Sequence, residues 1–196
     1  MPDFMIKDAW NGRPGPDSQA LHVSVSGGPA PDSQLDPATG SAGSSAETSS
    51  TPFVVRIDAP FYRDPAPATR AGVCDRLWDY EVCEIFLVGA DNRYLELEFG
   101  PHGHYLALLL EGPRKVLSRD NRLEYHAERH GGRWKGYAVV PRNLIPDPIH
   151  RLNLFAIHGT GADRRYLAWS ALPGSQPDFH QPERFPRWPP PRSHLA

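Results

Sequence analysis

Apolar and polar residues alternate with a period of two through much of the chain. In Leu21-His22-Val23-Ser24-Val25 and in Tyr94-Leu95-Glu96-Leu97-Glu98-Phe99 the side chains switch character at nearly every step. That is the pattern of strands with one face packed and the other turned away from the core. The same reading predicts strands over Phe4–Lys7, Ala20–Val25, Phe53–Asp58, Glu81–Val88, Arg93–Phe99, Tyr105–Leu110, Leu123–Arg129, Arg133–Val140, Leu152–His158 and Arg164–Trp169. Turn-forming residues separate them: Gly89-Ala90-Asp91-Asn92, Gly100-Pro101-His102-Gly103, Gly131-Gly132 and Gly159-Thr160-Gly161. No amphipathic stretch reaches helical length, and Val140 to Ile145 offers one helical turn at most. The fold class predicted is all-β, an antiparallel β-sandwich with little helix.

The pattern fails between Ser26 and Pro52. There SGGPAPDSQLDPATGSAGSSAETSSTP contains one large apolar residue, Leu35, and neither Lys nor Arg. Such a segment buries too little apolar surface to offset its ordering entropy, so it is expected to be a disordered loop. Strand-like sequence flanks it on both sides, so it reads as an expanded connection inside one sheet; loop length costs little there. The organisation expected is a single domain over residues 1–185 interrupted by the loop at 26–52. A Pro/Arg-rich flexible tail over 186–196 would follow, whose Pro189-Pro190-Pro191 run could dock an aromatic groove.

Composition narrows the function classes. The chain has 196 residues with 22 Pro, 17 Gly and a formal charge of −2. Pro and Gly make about a fifth of it, above the average of roughly 12% and below the level of low-complexity chains. Its only lysines are Lys7, Lys115 and Lys135, so it lacks the basic footprint of a nucleic-acid binder. No apolar run approaches the ~20 residues of a membrane span, and MPDFMIKDAW lacks the basic and apolar regions of a signal peptide. Cys74 and Cys83 supply neither a disulfide framework nor a four-ligand zinc site. These features predict a cytoplasmic protein with free thiols that binds neither nucleic acid nor membrane; its oligomeric state is not legible.

Candidate chemistry lies in three places. In Leu77-Trp78-Asp79-Tyr80-Glu81-Val82-Cys83-Glu84-Ile85-Phe86, strand alternation puts Trp78, Glu84 and Phe86 on one face and Glu81 on the other. Glu81 and Glu84 therefore do not form one carboxylate pair. Glu84 among aromatics must be paired, hydrogen-bonded or protonated, either as a groove carboxylate or as a buried structural contact. Glu96 and Glu98 share a face about 6.5–7 Å apart. That spacing suits a calcium ion or an acid/base pair, although a solvated face is the commoner outcome. Finally, His102 and His104, His158 and His180 sit at turns or strand ends, with Asp178 close by in sequence. They could hold a metal, hydrogen-bond loops into place or contact a ligand. Neither a nucleophile elbow nor a phosphate loop is present. Trp78 and Trp134 are the candidates for exposed aromatic platforms.

Taken in order, several motifs resemble a known family. They are Phe4-x-Ile6-x-x-x-Trp10-x-Gly12, Ala59-Pro60-Phe61, Leu77-Trp78-Asp79-Tyr80-Glu81-Val82, Tyr94-Leu95-Glu96-x-Glu98, Pro101-His102-Gly103, Ala156-Ile157-His158-Gly159 and Pro177-Asp178-Phe179-His180. The series resembles uncharacterised protein family 0462, whose members carry only open-reading-frame names, and runs from about Met1 to Phe185. Members usually cross between the two strands flanking the Ser-rich tract with a short connection, so that tract is a departure. The family is similar in turn to carbohydrate-binding module family 9-like and DOMON-like β-sandwiches. The resemblance implies a sandwich and assigns no activity. DOMON-like relatives bind sugars or haem; here Met1 and Met5 lie at the terminus, which leaves only a bis-His version of haem ligation. By character, Trp78, Glu81, Glu84, His102 and Trp134 match the aromatic and polar groups of sugar clefts.

The function expected is a non-catalytic binding module, without cofactor, for a carbohydrate-like or other small polar ligand. Trp78 and Trp134 would stack, Glu81, Glu84 and Asp178 would accept hydrogen bonds, and His102, His158 and His180 would donate or orient. Two alternatives stand beside it: a metal-assisted hydrolase or lyase using the His/Asp/Glu set, and a protein-interaction module acting through the Pro-rich tail.

Overall fold

The computed structural model describes residues 2–27, 52–119 and 121–189. They form β1 (Asp3–Ile6), β2 (Asp8–Ala9), β3 (Leu21–Ser26), β4 (Phe53–Pro60), β5 (Gly72–Val73), β6 (Val82–Val88), β7 (Arg93–Phe99), β8 (His104–Glu111), β9 (Val116–Ser118), β10 (Glu124–His130), β11 (Arg133–Val140), β12 (Arg151–His158) and β13 (Arg165–Ala168). Helix among the described residues is confined to three-residue 3-10 turns such as Leu77–Asp79 and Arg142–Leu144. None is long and apolar enough to cross a membrane. The short strands β2, β5 and β9 escape a period-two reading because two or three residues carry no period.

Two sheets stack. One has the order β1-β3-β4-β11-β10; the other runs β2-β13-β12-β6-β7-β8-β5, with β9 paired to β8. All pairings are antiparallel except β5 with β8. The core between the sheets takes the alternate residues of both, among them Val23, Val55, Ile57, Ile85, Leu95, Leu97, Phe99 and Leu154. Cys83 lies in this core as a free thiol, and burial pushes its pKa up. β3 pairs directly with β4, Ser26 opposite Val54, so the Ser-rich tract joins two neighbouring strands of one sheet. The expected disorder of that tract concerns residues 28–51, which lie outside the described residues.

Two sequence expectations need correction. Trp134 is not an exposed platform: at 2% exposure it fills the core between the sheets. It follows the Gly131-Gly132 turn, but β11 alternates so that Trp134, Ala138 and Val140 all point inward. The tail is also not free from residue 186. The Pro186 carbonyl accepts from Leu152 N–H at 3.1 Å, Trp188 N–H donates to the His150 carbonyl at 2.8 Å, and the Trp188 ring packs 5.6 Å from Phe4. Of the tail, residues 190–196 lie outside the described residues.

The eight-stranded sheet is covered on its other face as well. Phe86, Tyr94, Leu106, Leu108, Leu110, Phe155 and Ile157 point away from the sandwich core and form a second one. Cys74 and Leu77 cover it from one side, and Leu172, Phe179 and Phe185 cover it from the chain segment after β13. Asn153, wholly buried on this face, pins the start of that segment: its amide donates to the Ser170 carbonyl at 2.9 Å and its side-chain oxygen accepts from Ser170 N–H at 3.1 Å. This third layer positions the candidate site.

Candidate functional site

Between the second core and the chain at 177–180 lies a cleft of about 370 Å³, lined by Trp78, Glu84, Phe86, Glu96, Arg114, Tyr166, Asp178, Phe179 and His180 among others. Its floor is the outer face of β6 and β7. Glu84 stands opposite Glu98, and Phe86 opposite Glu96, across this strand pair. The alternation expected for Glu96 and Glu98 holds, yet their solvation does not: Glu96 is 3% exposed, Glu98 fully buried, and Glu84 2% exposed. The covering layer, distant in sequence, removes them from water.

Burial sets their protonation. It raises the pKa of Glu84 well above the usual carboxylate range, and the neighbouring Glu96 adds to the rise. Burial likewise pushes Glu96 up to about 8. Glu98 is raised for the same reason and by Glu84 and Glu96; the Trp78 backbone N–H opposes the shift without cancelling it. Burial thus favours the protonated form of all three, and Glu96 is chiefly protonated at neutral pH; a protonated carboxyl has one O–H to donate as well as a carbonyl oxygen to accept.

The wall at 177–180 is held by polar contacts. Arg114 pairs with Asp178 at 2.9 Å, and Asp178 also accepts from His180 N–H at 3.0 Å. The Tyr94 hydroxyl lies 2.9 Å from Nδ1 of His180 and accepts from Arg114 N–H at 3.3 Å. Burial lowers His180 to about 4 and lifts Tyr94 to about 12. The consistent arrangement is a neutral imidazole accepting the Tyr94 proton at Nδ1 and presenting Nε2–H. Phe179 stacks on Phe155 with centroids 4.0 Å apart and planes at 8°, anchoring the wall to the sheet. At the rim, Trp78 is 36% exposed. Its carbonyl accepts from Arg164, which also bonds the Asp79 and Gly159 carbonyls at 3.1 Å.

The other candidate residues gather elsewhere. Glu81, His102 and His158 surround the segment Phe61–Asp64 that leaves β4. Tyr62 N–H donates to Glu81 at 3.2 Å, and Gly159 N–H donates to Asp64 at 2.6 Å. The His158 ring stacks on Tyr62 at 3.5 Å, and His102 meets the edge of Phe61 at 5.6 Å while accepting from Arg129 at 2.6 Å. Burial raises Glu81 to about 7 and lowers His158 to about 4. These contacts tie three chain segments together, and none of these side chains lines the cleft. The histidine-bearing turns thus converge only in part: His102 and His158 share a neighbour, and His180 stands in the cleft wall. Among the described residues no group of three or more His, Cys, Asp or Glu is placed to hold a metal ion.

A second hollow, about 470 Å³, lies over the exposed face of the five-stranded sheet. All its lining residues, from Asp3 to Tyr137, are on strands and none is on a loop. It is a trough across a sheet rather than a walled site. What sequence reasoning missed is that Arg114 and Glu96 line one cleft with Glu84 and that Tyr94 holds its wall through His180. The signal available was the nearly continuous apolar run of β6 and β8, which marks strands buried on both faces.

Fold and site together define a two-sheet β-sandwich with a third layer of irregular chain forming a polar cleft over one sheet. The chain belongs to the UPF0462 family. It is 38% identical over 192 residues to UPF0462 protein C4orf33 of Homo sapiens, covering 93% of this chain and 85% of the human protein. The homologues from Rattus norvegicus and Danio rerio are 39% and 38% identical over 140 and 142 residues, covering 70% and 72% of those proteins and 67% and 68% of this chain. No family model matches the chain. Among solved structures, a protein of Bacteroides uniformis described as a "putative carbohydrate-binding protein" superposes with a TM-score of 0.60, covering 94% of this chain and 84% of that one. At 14% identity this is a likeness of fold.

Proposed function

We propose that this protein is a non-catalytic binding module whose cleft takes a carbohydrate-like or other small polar ligand. The observation that carries the reading is the cleft itself. A walled hollow of about 370 Å³ falls in the size range of small-molecule sites, roughly 300–1,000 Å³. It combines a half-exposed Trp78 at the rim with Glu84, Glu96, Arg114, Asp178 and His180 around the interior. Trp78 stacks on the ligand, the protonated carboxyls of Glu84 and Glu96 exchange hydrogen bonds with hydroxyls, and His180 donates from Nε2. The name of the Bacteroides uniformis neighbour supports a sugar as the first class to test. Glu81, His102 and His158 serve the fold, and Trp134 belongs to the core.

The test is a glycan array followed by titration calorimetry with the sugars retained. Retention that Trp78→Ala removes while lowering the melting temperature by no more than about 4 °C supports the reading. An array blank for every glycan overturns its carbohydrate part, and calorimetry blank for small polar compounds as well overturns the whole.

A further inference from the structure

The floor of the cleft holds more acid than a neutral sugar requires. Glu84 and Glu96 are diagonal neighbours on β6 and β7, a placement that sets backbones about 7–8 Å apart, close enough for both carboxyls to reach one atom between them. Both line the cleft. Glu96 Oε2 is buried with no hydrogen-bond partner, and such an oxygen forfeits the bonds it had in water.

The nearby cations, Arg164 beside Glu84 and Arg114 beside Glu96, favour the charged carboxyls without reversing the effect of burial, and their guanidinium groups bond elsewhere. Arg114 pairs with Asp178 and Arg164 caps carbonyls; none of the ion pairs among the described residues includes Glu84, Glu96 or Glu98. Trp78, Phe86, Tyr166 and Phe179 supply ring faces and edges around the same space, and ring faces attract cations. A calcium ion would need 6–8 oxygens, whereas an ammonium group has only three N–H donors to satisfy.

We propose that the cleft selects ligands bearing a protonated primary amine, with the carboxyls of Glu84 and Glu96 receiving the ammonium group. This rests on the reading of the cleft as a small-ligand site and specifies its ligand class. On binding, a neutral Glu96 carboxylic acid gives its proton to solvent and the resulting carboxylate pairs with the ammonium. One proton is released for each acid so converted, and no covalent bond forms in the ligand. Burial strengthens the pair, since the attraction is less screened there than at the surface.

The experiment is titration calorimetry at about pH 6, below the roughly 7.7–8.0 of an amine flanked, as in glucosamine, by electron-withdrawing groups, in two buffers of different ionisation enthalpy. The probes are glucosamine, glucose, N-acetylglucosamine and the diamine cadaverine. The expected result is glucosamine binding at least about tenfold tighter than glucose or the amide, with proton release. Glu96→Gln and, separately, Glu84→Gln should abolish that difference, while Asp58→Asn, in the trough of the other sheet, should not. Wild-type proton release reads the same event even if one variant fails to fold. Cadaverine binding with the same Glu96 dependence and no sugar binding supports ammonium selectivity and overturns the carbohydrate part of the reading above. Glucose equal to or tighter than glucosamine overturns the selectivity and leaves that reading standing. No binding by any probe overturns the ammonium selectivity, and the reading above is then decided by the glycan array.

Discussion

Glu84 on β6 and Glu98 on β7 face one another directly across a strand pair, both buried beneath the layer that contains Leu77 and Phe179. Like charges directly opposite on a sheet are destabilising, and two buried carboxylates without a cation between them would be more so. Burial favours the protonated form of both members, which removes that repulsion. The same property keeps the cleft floor neutral when empty and able to ionise when a cation enters.

That pairing gives a stability prediction. Glu98→Gln keeps the shape and removes the carboxyl whose ionisation is disfavoured in the fold. At about pH 8.5 the variant is expected to melt at least about 3 °C above wild type, on the scale of ~2–4 °C per kcal/mol for a domain of this size. Near pH 5 the gap should be much smaller, because this is within a unit of the unfolded carboxyl's pKa, about 4.3 when free, and little of the linkage has built up. Thermal melts at both pH values check it; a variant less stable at pH 8.5 would mean that Glu98 is charged and partnered.

The wild-type pH profile follows from the same groups. Glu81 and Glu96 have folded pKa values raised from 4.5 to about 7 and about 8, so the folded state binds more protons than the unfolded one. Their contribution is complete below about pH 4.5 and is lost as pH rises through 7 and 8. His158 and His180 run the opposite way: lowered from 6.5 to about 4, they favour the fold above pH 6.5 and lose that advantage as pH falls towards 4. Between these limits the slopes oppose one another. Above pH 6.5 only the carboxyl slope remains, about 1.4 kcal/mol per pH unit for each fully protonated acid. Denaturant titrations should therefore show stability falling from pH 6.5 to 8. A flat or rising profile would contradict the burial of these acids.

How much of this was legible in the sequence depends on distance along the chain. The alternation in Tyr94–Phe99 sorts inward from outward residues correctly, because a strand's faces are set by its own backbone. It cannot say whether the outward face meets water. Glu96 lies beneath the chain at 177–180, about eighty positions away, and Glu98 beside Cys74 and Trp78 in the irregular segment before β6. Local turn chemistry misled in the opposite sense at Trp134. The neighbouring Gly131-Gly132 suggested exposure, whereas the period of β11 groups Trp134 with Ala138 and Val140. The room beneath it comes from Gly136, where an added Cβ would lie 3.0 Å from the Trp134 ring and from the Tyr125 hydroxyl.

The two tryptophans should therefore respond differently. Trp134→Ala empties a fully enclosed space and is expected to cost about 3–5 kcal/mol, enough to unfold many domains of this size at 37 °C. Trp78→Ala removes a ring that is 36% exposed and is expected to cost about 1 kcal/mol, near the centre of ordinary point substitutions. Chemical denaturation of both variants checks the contrast; equal losses would place Trp78 in the core and remove it from the cleft rim.

Arg114 and Asp178 form the last test, because their ion pair joins the turn after β8 to the wall at 177–180. Both side chains are more than a third exposed, and such pairs contribute about 0–1 kcal/mol to stability. Arg114→Ala should consequently leave the denaturation midpoint close to wild type. The ligand site should respond more. Asp178 is one of the polar groups around the cleft and accepts the His180 N–H, and the Arg114 backbone N–H is bonded to Tyr94. Loosening that wall lets His180 leave the orientation in which Nε2–H points to the ligand, and the expected loss of affinity is about tenfold. Asp178→Asn, which retains an oxygen for the His180 N–H, should lose less. The distinguishing measurement is calorimetry on both variants beside their denaturation curves. Unchanged affinity in Arg114→Ala would show that the Tyr94–His180 hydrogen bond and the Phe179–Phe155 stack hold the 177–180 wall without the ion pair.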